Sequence, residues 1–207
     1  MIYTDRTAAG RALATHLDNL RATHPLLLGL PRGGVPVAAG LREIIGGDLD
    51  ILLVRKLGVP WQPELAMGAI GEGGVRVLNS DVLSHIRITP QEFAEIEDLE
   101  RVELDRRRMV WRGDAESIPL DGRTVVIVDD GMATGATVVV ACRVARRHHP
   151  AQVVVAIPVS SAEALRRVAA EADQIVCPLV PETLGGVGTA YEDFHQLEDD
   201  EVTTLLA

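Results

Sequence analysis

The chain has 207 residues, is 47% hydrophobic and 24% charged, and carries a formal charge of −10. That size suits one α/β domain of ordinary dimensions. The acidic balance opposes nucleic acid as a partner, and an aromatic share of 3% is too small for base-stacking platforms. The longest apolar runs, such as Leu26 to Leu28 and Val138 to Ala141, fall far short of a membrane span, so no membrane helix is expected.

The opening residues, Met1 to Arg6, hold no basic region followed by an apolar stretch and a small-residue cleavage site. Cys142 and Cys177 sit in apolar patterns without metal-ligand spacing, so both are expected buried and reduced, in the cytoplasm. Arg6 to Ala22 brings Ala9, Leu13, Leu17 and Leu20 near one helical face. Leu26 to Leu30 reads as a buried strand ended by Pro31-Arg32-Gly33-Gly34, with a helix following through Ile45. Asp50 to Val54 is the next strand. The Gly- and Pro-rich stretch Arg55 to Asn79 reads as a mobile loop with a hairpin, its core at 56–79.

Thr89-Pro90-Gln91-Glu92 combines an N-cap, a proline at the first helical position and a reciprocal glutamate, which starts an inserted helix over 89–112. Glu97 with Arg101 and Glu103 with Arg107, four apart, suit a solvated face, and Arg106 to Arg108 read as solvated or subunit-facing. Further strands are expected at Thr124 to Val128, Gln152 to Ile157 and Gln174 to Cys177, joined by helices at Thr134 to Arg147 and Ala162 to Glu171. From Pro178 the tail is irregular and then acidic. Alternating strands and helices give a single α/β domain over 1–207, a parallel sheet flanked by helices, with 178–207 as a C-terminal hood and tail.

The chemistry concentrates where Val125-Val126-Ile127-Val128 runs into Asp129-Asp130 and then Gly131-Met132-Ala133-Thr134-Gly135-Ala136-Thr137. This order puts two carboxylates at the carboxyl end of a central strand, where ligands gather in open α/β sheets. A loop of small residues then opens a helix, whose unpaired amides and dipole attract an anion, with Thr134 and Thr137 adding hydroxyl donors. Carboxylates facing a vicinal diol beside a phosphate nest describe a ribose 5-phosphate. A P-loop would need a lysine that this segment lacks, and a dinucleotide fingerprint would place its glycines before the acids.

Val125 to Thr137 resembles the phosphoribosyl pyrophosphate signature of type I phosphoribosyltransferases. By that resemblance Asp129 and Asp130 meet the ribose hydroxyls, while Ala133, Thr134, Gly135, Ala136 and Thr137 wrap the 5-phosphate. Gly29 to Gly34 looks like the family's pyrophosphate loop, with Arg32, Gly33 and Gly34 as contacts. Arg55-Lys56 resembles the pair before its flexible loop, with Lys56 at the pyrophosphate. Arg55 to Pro60, Pro63 to Ala69 and Tyr191 to Phe194 look like a narrower subgroup of phosphoribosyltransferase-like proteins. None of these identifies an acceptor.

The resemblance implies an enzyme that moves ribose 5-phosphate from phosphoribosyl pyrophosphate to a nitrogen nucleophile, with Asp129, Asp130 and Lys56 as its catalytic residues. Mg2+ would be carried by diphosphate and sugar oxygens and reach Asp129 or Asp130 through water. Ala133 stands where the hypoxanthine-guanine type carries an aspartate, which disfavours that substrate class. The acceptor is a small molecule, covered by the N-terminal segment plus Val180 to Gln196, and a homo-oligomer is compatible with the reading. The alternatives are a non-catalytic sensor of phosphoribosyl pyrophosphate or a nucleotide and, more weakly, hydrolysis or phosphorolysis of a ribosyl phosphate.

Overall fold

Two alternating apolar faces organise the molecule, described here over residues 2–207 in a computed structural model; Met1 and the side chain of Glu64, one position of the Pro63 to Ala69 stretch, lie outside the described residues. In chain order the elements are α1 (Arg6–Ala14), β1 (Leu26–Gly29), α2 (Gly34–Ile45), β2 (Asp48–Ile51), β3 (Val54–Val59), β4 (Gln62–Gly71), β5 (Arg76–Leu78), α3 (Ser80–His85) and α4 (Pro90–Trp111). There follow β6 (Thr124–Val128), α5 (Ala136–Arg146), β7 (Gln152–Ala156), α6 (Ala162–Val168), β8 (Gln174–Val176) and α7 (Asp199–Leu206).

Five strands form a parallel sheet in the order β2-β1-β6-β7-β8. Their side chains alternate with a period of two. Leu26, Leu28, Val125, Ile127, Val153 and Val155 share a core with Val138, Cys142 and Ala164 of α5 and α6. Leu27, Val126, Val128 and Val154 face the other way, onto Leu13 of α1 and Val37 and Leu41 of α2. All of these are at most 1% exposed, and each large aliphatic side chain so buried contributes roughly 1.5–3 kcal/mol.

The strand order reverses between β1 and β6, which run in register with Leu28 beside Ile127 and Gly29 beside Val128. The loops leaving these two strands therefore diverge to opposite sides of the sheet and open a crevice at their carboxyl ends. The amide of Leu30 continues the pairing by donating to the Val128 carbonyl at 2.8 Å, which carries Pro31 to Gly34 alongside Asp129 and Asp130.

Several elements differ from the sequence expectation. The first helix ends at Ala14; His16 and Leu17 donate to carbonyls three residues back, so the polar run from Thr15 to Asn19 tightens into a turn while Leu17 and Leu20 stay buried. Arg55 to Asn79 folds as an antiparallel sheet, β3-β4-β5, where a loop with one hairpin was expected. Its glycines permit close strand contacts, while Leu57, Met67 and Ile70 are fully buried. The acidic tail closes with α7, which opens with a capping box between Glu198 and Glu201. Cys142 is buried as expected, but Cys177 is partly exposed at the short edge strand β8. No helix among the described residues is long and apolar enough to cross a membrane.

Candidate functional site

The acid pair sits at the crevice because β6 ends there. The Asp129 carboxylate accepts a bond from the Asp130 amide at 2.9 Å, which folds it back against its own strand end. Asp130 points across to α1, where Arg6 Nε donates to Oδ2 at 2.9 Å, with the two side chains only 9% and 16% exposed. Burial pushes the Asp129 carboxyl well above the ordinary carboxylate range, and the neighbouring charge of Asp130 adds to the rise. Burial also raises Asp130, against the opposing hydrogen bond and charge of Arg6. Two acids in so poorly solvated a place favour any cation that approaches them.

The glycines of the β1 loop exist for this contact. A Cβ on Gly33 would lie 2.0 Å from Asp130 Oδ2, and one on Gly34 would lie 2.2 Å from the Val128 carbonyl oxygen. Only residues without side chains let the two loops meet. The Pro31–Arg32 peptide bond is cis.

Beyond the acids, Gly135 occupies the left-handed region at φ 76° and offers α5 no side chain of its own as a cap; Thr134 Oγ1 accepts from the Ala136 amide at 3.4 Å, and like it the following amides of the first turn have no intrahelical partner. The carbonyls of Ala133 and Thr134 are turned toward α6, accepting from Ser161 Oγ and from Arg167, both at 2.8 Å. Thr134, Ala136 and Thr137 line a cavity of about 580 Å³ together with Pro31, Arg55 and Lys56. The helix α4 supplies its far wall through Glu100, Arg107 and Trp111.

The sequence-predicted residues thus fall into two groups. Arg55, Lys56, Thr134, Ala136 and Thr137 share the cavity with Pro31, while Asp130 lies against Gly33 and Asp129 against Gly34 of the loop that Pro31 begins. Two predicted cations are held by the protein's own acids. Arg55 pairs with Glu100 of α4 through Nε at 2.6 Å, and Arg32 pairs with Asp199 at 3.0 Å while donating to the Leu197 carbonyl. Asp199 also accepts from Trp111 Nε1 at 2.8 Å.

Sequence reasoning did not single out Arg6, Glu100 or Asp199. Each reaches the site from a distant element, and nothing in local spacing marks it. The N-terminal segment and the tail do meet beside the acids: Tyr3 donates its amide to the Ala190 carbonyl, Glu192 returns a bond to Tyr3, and Tyr3, Val159 and Tyr191 share a small core. Tyr191 packs there, its hydroxyl donating to the Asp130 carbonyl. Phe194 stacks on Tyr191 with centroids 5.0 Å apart and lies 3.9 Å from the Arg6 guanidinium carbon. A second, more open cavity of about 500 Å³ lies between α1 and α7. Asp5, Asp193, Asp200 and Glu201 line it together with Arg6 and His195, so acids outnumber bases there and a phosphate is less favoured than at the first cavity.

The sequence matches the family described as phosphoribosyl transferase domain over residues 3–192. Two Mycobacterium tuberculosis proteins, from strains CDC 1551 and H37Rv and provisionally named phosphoribosyl transferases, are 47% identical over 205 residues. The match takes in 99% of this chain and 46% of theirs, so the chain spans about half the length of these relatives. The crystal structure of TT1426 from Thermus thermophilus superposes with a TM-score of 0.86 at 43% identity, covering 100% of this chain and 98% of that one. A crevice at the β1–β6 reversal, an acid pair and an adjoining helix start are thus found in a chain that belongs to the phosphoribosyl transferase domain family.

Proposed function

We propose that the chain is a phosphoribosyltransferase that takes ribose 5-phosphate from phosphoribosyl pyrophosphate and transfers it to a nitrogen nucleophile, releasing pyrophosphate. One observation carries the reading: the register of β1 with β6 sets the Arg32–Gly34 loop against Asp130, next to a cavity that holds Thr134, Thr137, Arg55 and Lys56. An acid pair for the sugar hydroxyls thereby adjoins hydroxyl and amide donors for a terminal phosphate and cations for a diphosphate.

In this reading Asp129 and Asp130 orient the ribose, and their negative charge favours the positive charge that builds on the ring as pyrophosphate leaves. The α5 amides with Thr134 and Thr137 fix the 5-phosphate, and Lys56 with the Gly33 backbone holds the diphosphate, the Gly34 amide being bonded to the Leu30 carbonyl so that it shapes the loop instead. The raised carboxyls of Asp129 and Asp130 suit a divalent cation, and the described residues contain no cluster of three or more ligating side chains. Mg2+ would therefore arrive with the ligand, held at Asp129 or Asp130 through water and neutralising diphosphate charge. The segment β3-β4-β5 and α4 would exclude water from the cavity they wall.

The test is to incubate the chain with phosphoribosyl pyrophosphate, Mg2+ and a panel of nucleobases and amines while assaying pyrophosphate. Release that depends on one acceptor establishes transfer. A sensor is the second reading, favoured by the internal pairing of Arg32 with Asp199 and of Arg55 with Glu100, which resembles a state awaiting a ligand. Tight ligand binding with no release for any acceptor would select it.

A further inference from the structure

Of the nine large hydrophobic side chains exposed among the described residues, four lie on one face of α4: Leu99 at 72%, Val102 at 71%, Met109 at 50% and Val110 at 38%. The opposite face is spent on the fold, with Leu104 and Trp111 only 3% and 5% exposed. At 100° per residue the outer stripe runs Glu92, Glu95, Leu99, Val102, Arg106, Met109, the three- and four-residue alternation of a helix seam that packs on another helix. A solvated helix gains nothing from two aliphatic side chains standing more than two-thirds in water at its midpoint.

We propose that this stripe is the contact between two copies of the chain, paired antiparallel about a two-fold axis that passes α4 between Glu100 and Arg101. The stripe's own pattern names the occupant. Under that symmetry residue i faces residue 201 − i of the other copy, so Leu99 meets Val102, Glu95 meets Arg106 and Glu92 meets Met109, each contact occurring twice. The helix is polarised to match. From Glu92 to Glu100 it carries five acids and no base, and from Arg101 to Arg112 five arginines and two acids. Antiparallel pairing sets opposite charges together, whereas parallel pairing would set like beside like.

Arg106 now bonds both oxygens of Glu103 three residues back, with the arginine side chain 58% exposed, and because Arg107 also holds Glu103, Arg106 can turn to a partner's carboxylate without leaving Glu103 unpaired. Among the described residues Glu95 accepts from Gln91 alone, at 3.1 Å on the same surface. Because the inner side of α4 supplies Glu100, Arg107 and Trp111 to the cavity, the pairing would brace one wall of the site. The inference goes beyond the transferase reading and stands without it.

The test is sedimentation equilibrium of the full chain over a range of protein concentrations, with circular dichroism as a check on fold. The expected mass is twice the 22.3 kDa of the chain. Val102→Glu, at a position too exposed to affect folding, should raise the dimer dissociation constant by about a hundredfold or more. Glu95→Arg should raise it by about tenfold or more, and adding Arg106→Glu to that variant should recover most of the loss. A chain that stays monomeric at every concentration overturns the proposal. So does a dimer untouched by Val102→Glu and Leu99→Glu, since its contact then lies elsewhere. Restoration of the dimer in the charge-swapped double variant but not in either single one establishes the antiparallel register.

Discussion

Replacing Arg6 by glutamine separates a structural ion pair from a decorative one. The Arg6–Asp130 pair spans α1 and the end of β6 with both side chains largely out of water, and Arg6 also donates to the His195 carbonyl at 3.0 Å. Removing one partner of such a pair strands the other, at a cost of about 3–5 kcal/mol when the stranded carboxyl stays ionised. That condition makes the cost depend on pH. A carboxyl whose pKa is higher in the folded protein than in the unfolded chain contributes stability that is full below the unfolded pKa and is lost as pH rises through the folded one. Asp130 is already raised by burial against the opposition of Arg6, so in Arg6→Gln it rises further and the loss extends to higher pH. Urea unfolding of both proteins at about pH 5.5 and about pH 8 should therefore show a larger deficit for the variant at the higher pH. A cycle with Asp130→Asn measures the coupling directly. If the two substitutions add within about 0.5 kcal/mol at the higher pH, the pair does not tie α1 to the sheet and the reasoning fails.

The other predictions rest on single contacts. Asp129→Asn removes one of two crowded charges whose carboxyl is pushed up by burial and by Asp130, so calorimetric unfolding at neutral pH should show unchanged or raised stability. Titration calorimetry with phosphoribosyl pyrophosphate should show affinity reduced about tenfold or more, from loss of a charge-assisted bond worth roughly 1.5–3 kcal/mol; unchanged affinity would remove Asp129 from the ribose site. Gly33→Ala forces a methyl onto Asp130 Oδ2 and should cost about 1–3 kcal/mol in chemical denaturation, along with most of any pyrophosphate release. Thr89→Ala breaks a capping box in which Thr89 and Glu92 bond each other reciprocally, at about 1 kcal/mol by urea melt, with ligand affinity unchanged.

What the sequence disclosed follows the range of the forces involved. The limits of β6, the capping box of α4 and its Glu97–Arg101 and Glu103–Arg107 pairs were legible because each is set by residues within four positions of one another. The β1 loop and the acid pair were legible as motifs, whereas the β1–β6 register that joins them was not, since strands buried on both faces carry no alternation that fixes their neighbours. The sheet β3-β4-β5 was not, because Gly58 and Gly68 signal a loop in sequence while in space each lies against a neighbouring backbone. Nor were the partners of the site cations. Arg6 meets Asp130 across 124 positions, and Arg55 meets Glu100 across 45, distances over which no periodicity carries information.

Those partners bear on how an acidic chain would hold the polyanion proposed above. With a formal charge of −10 the protein as a whole repels a diphosphate, and Arg6, Arg32 and Arg55 are all committed to carboxylates. The commitments are unequal. The Arg32–Asp199 pair is 36% and 38% exposed and the Arg55–Glu100 pair 27% and 27%, and pairs so open to water contribute about 1 kcal/mol or less. Exchanging Asp199 or Glu100 for a diphosphate oxygen thus costs little and returns a charge-assisted bond of the same kind. The Arg6–Asp130 pair, at 9% and 16%, is too costly to exchange in this way and instead keeps Asp130 in position. Solvent access thus divides three similar ion pairs into two that a ligand can replace and one that it must leave intact.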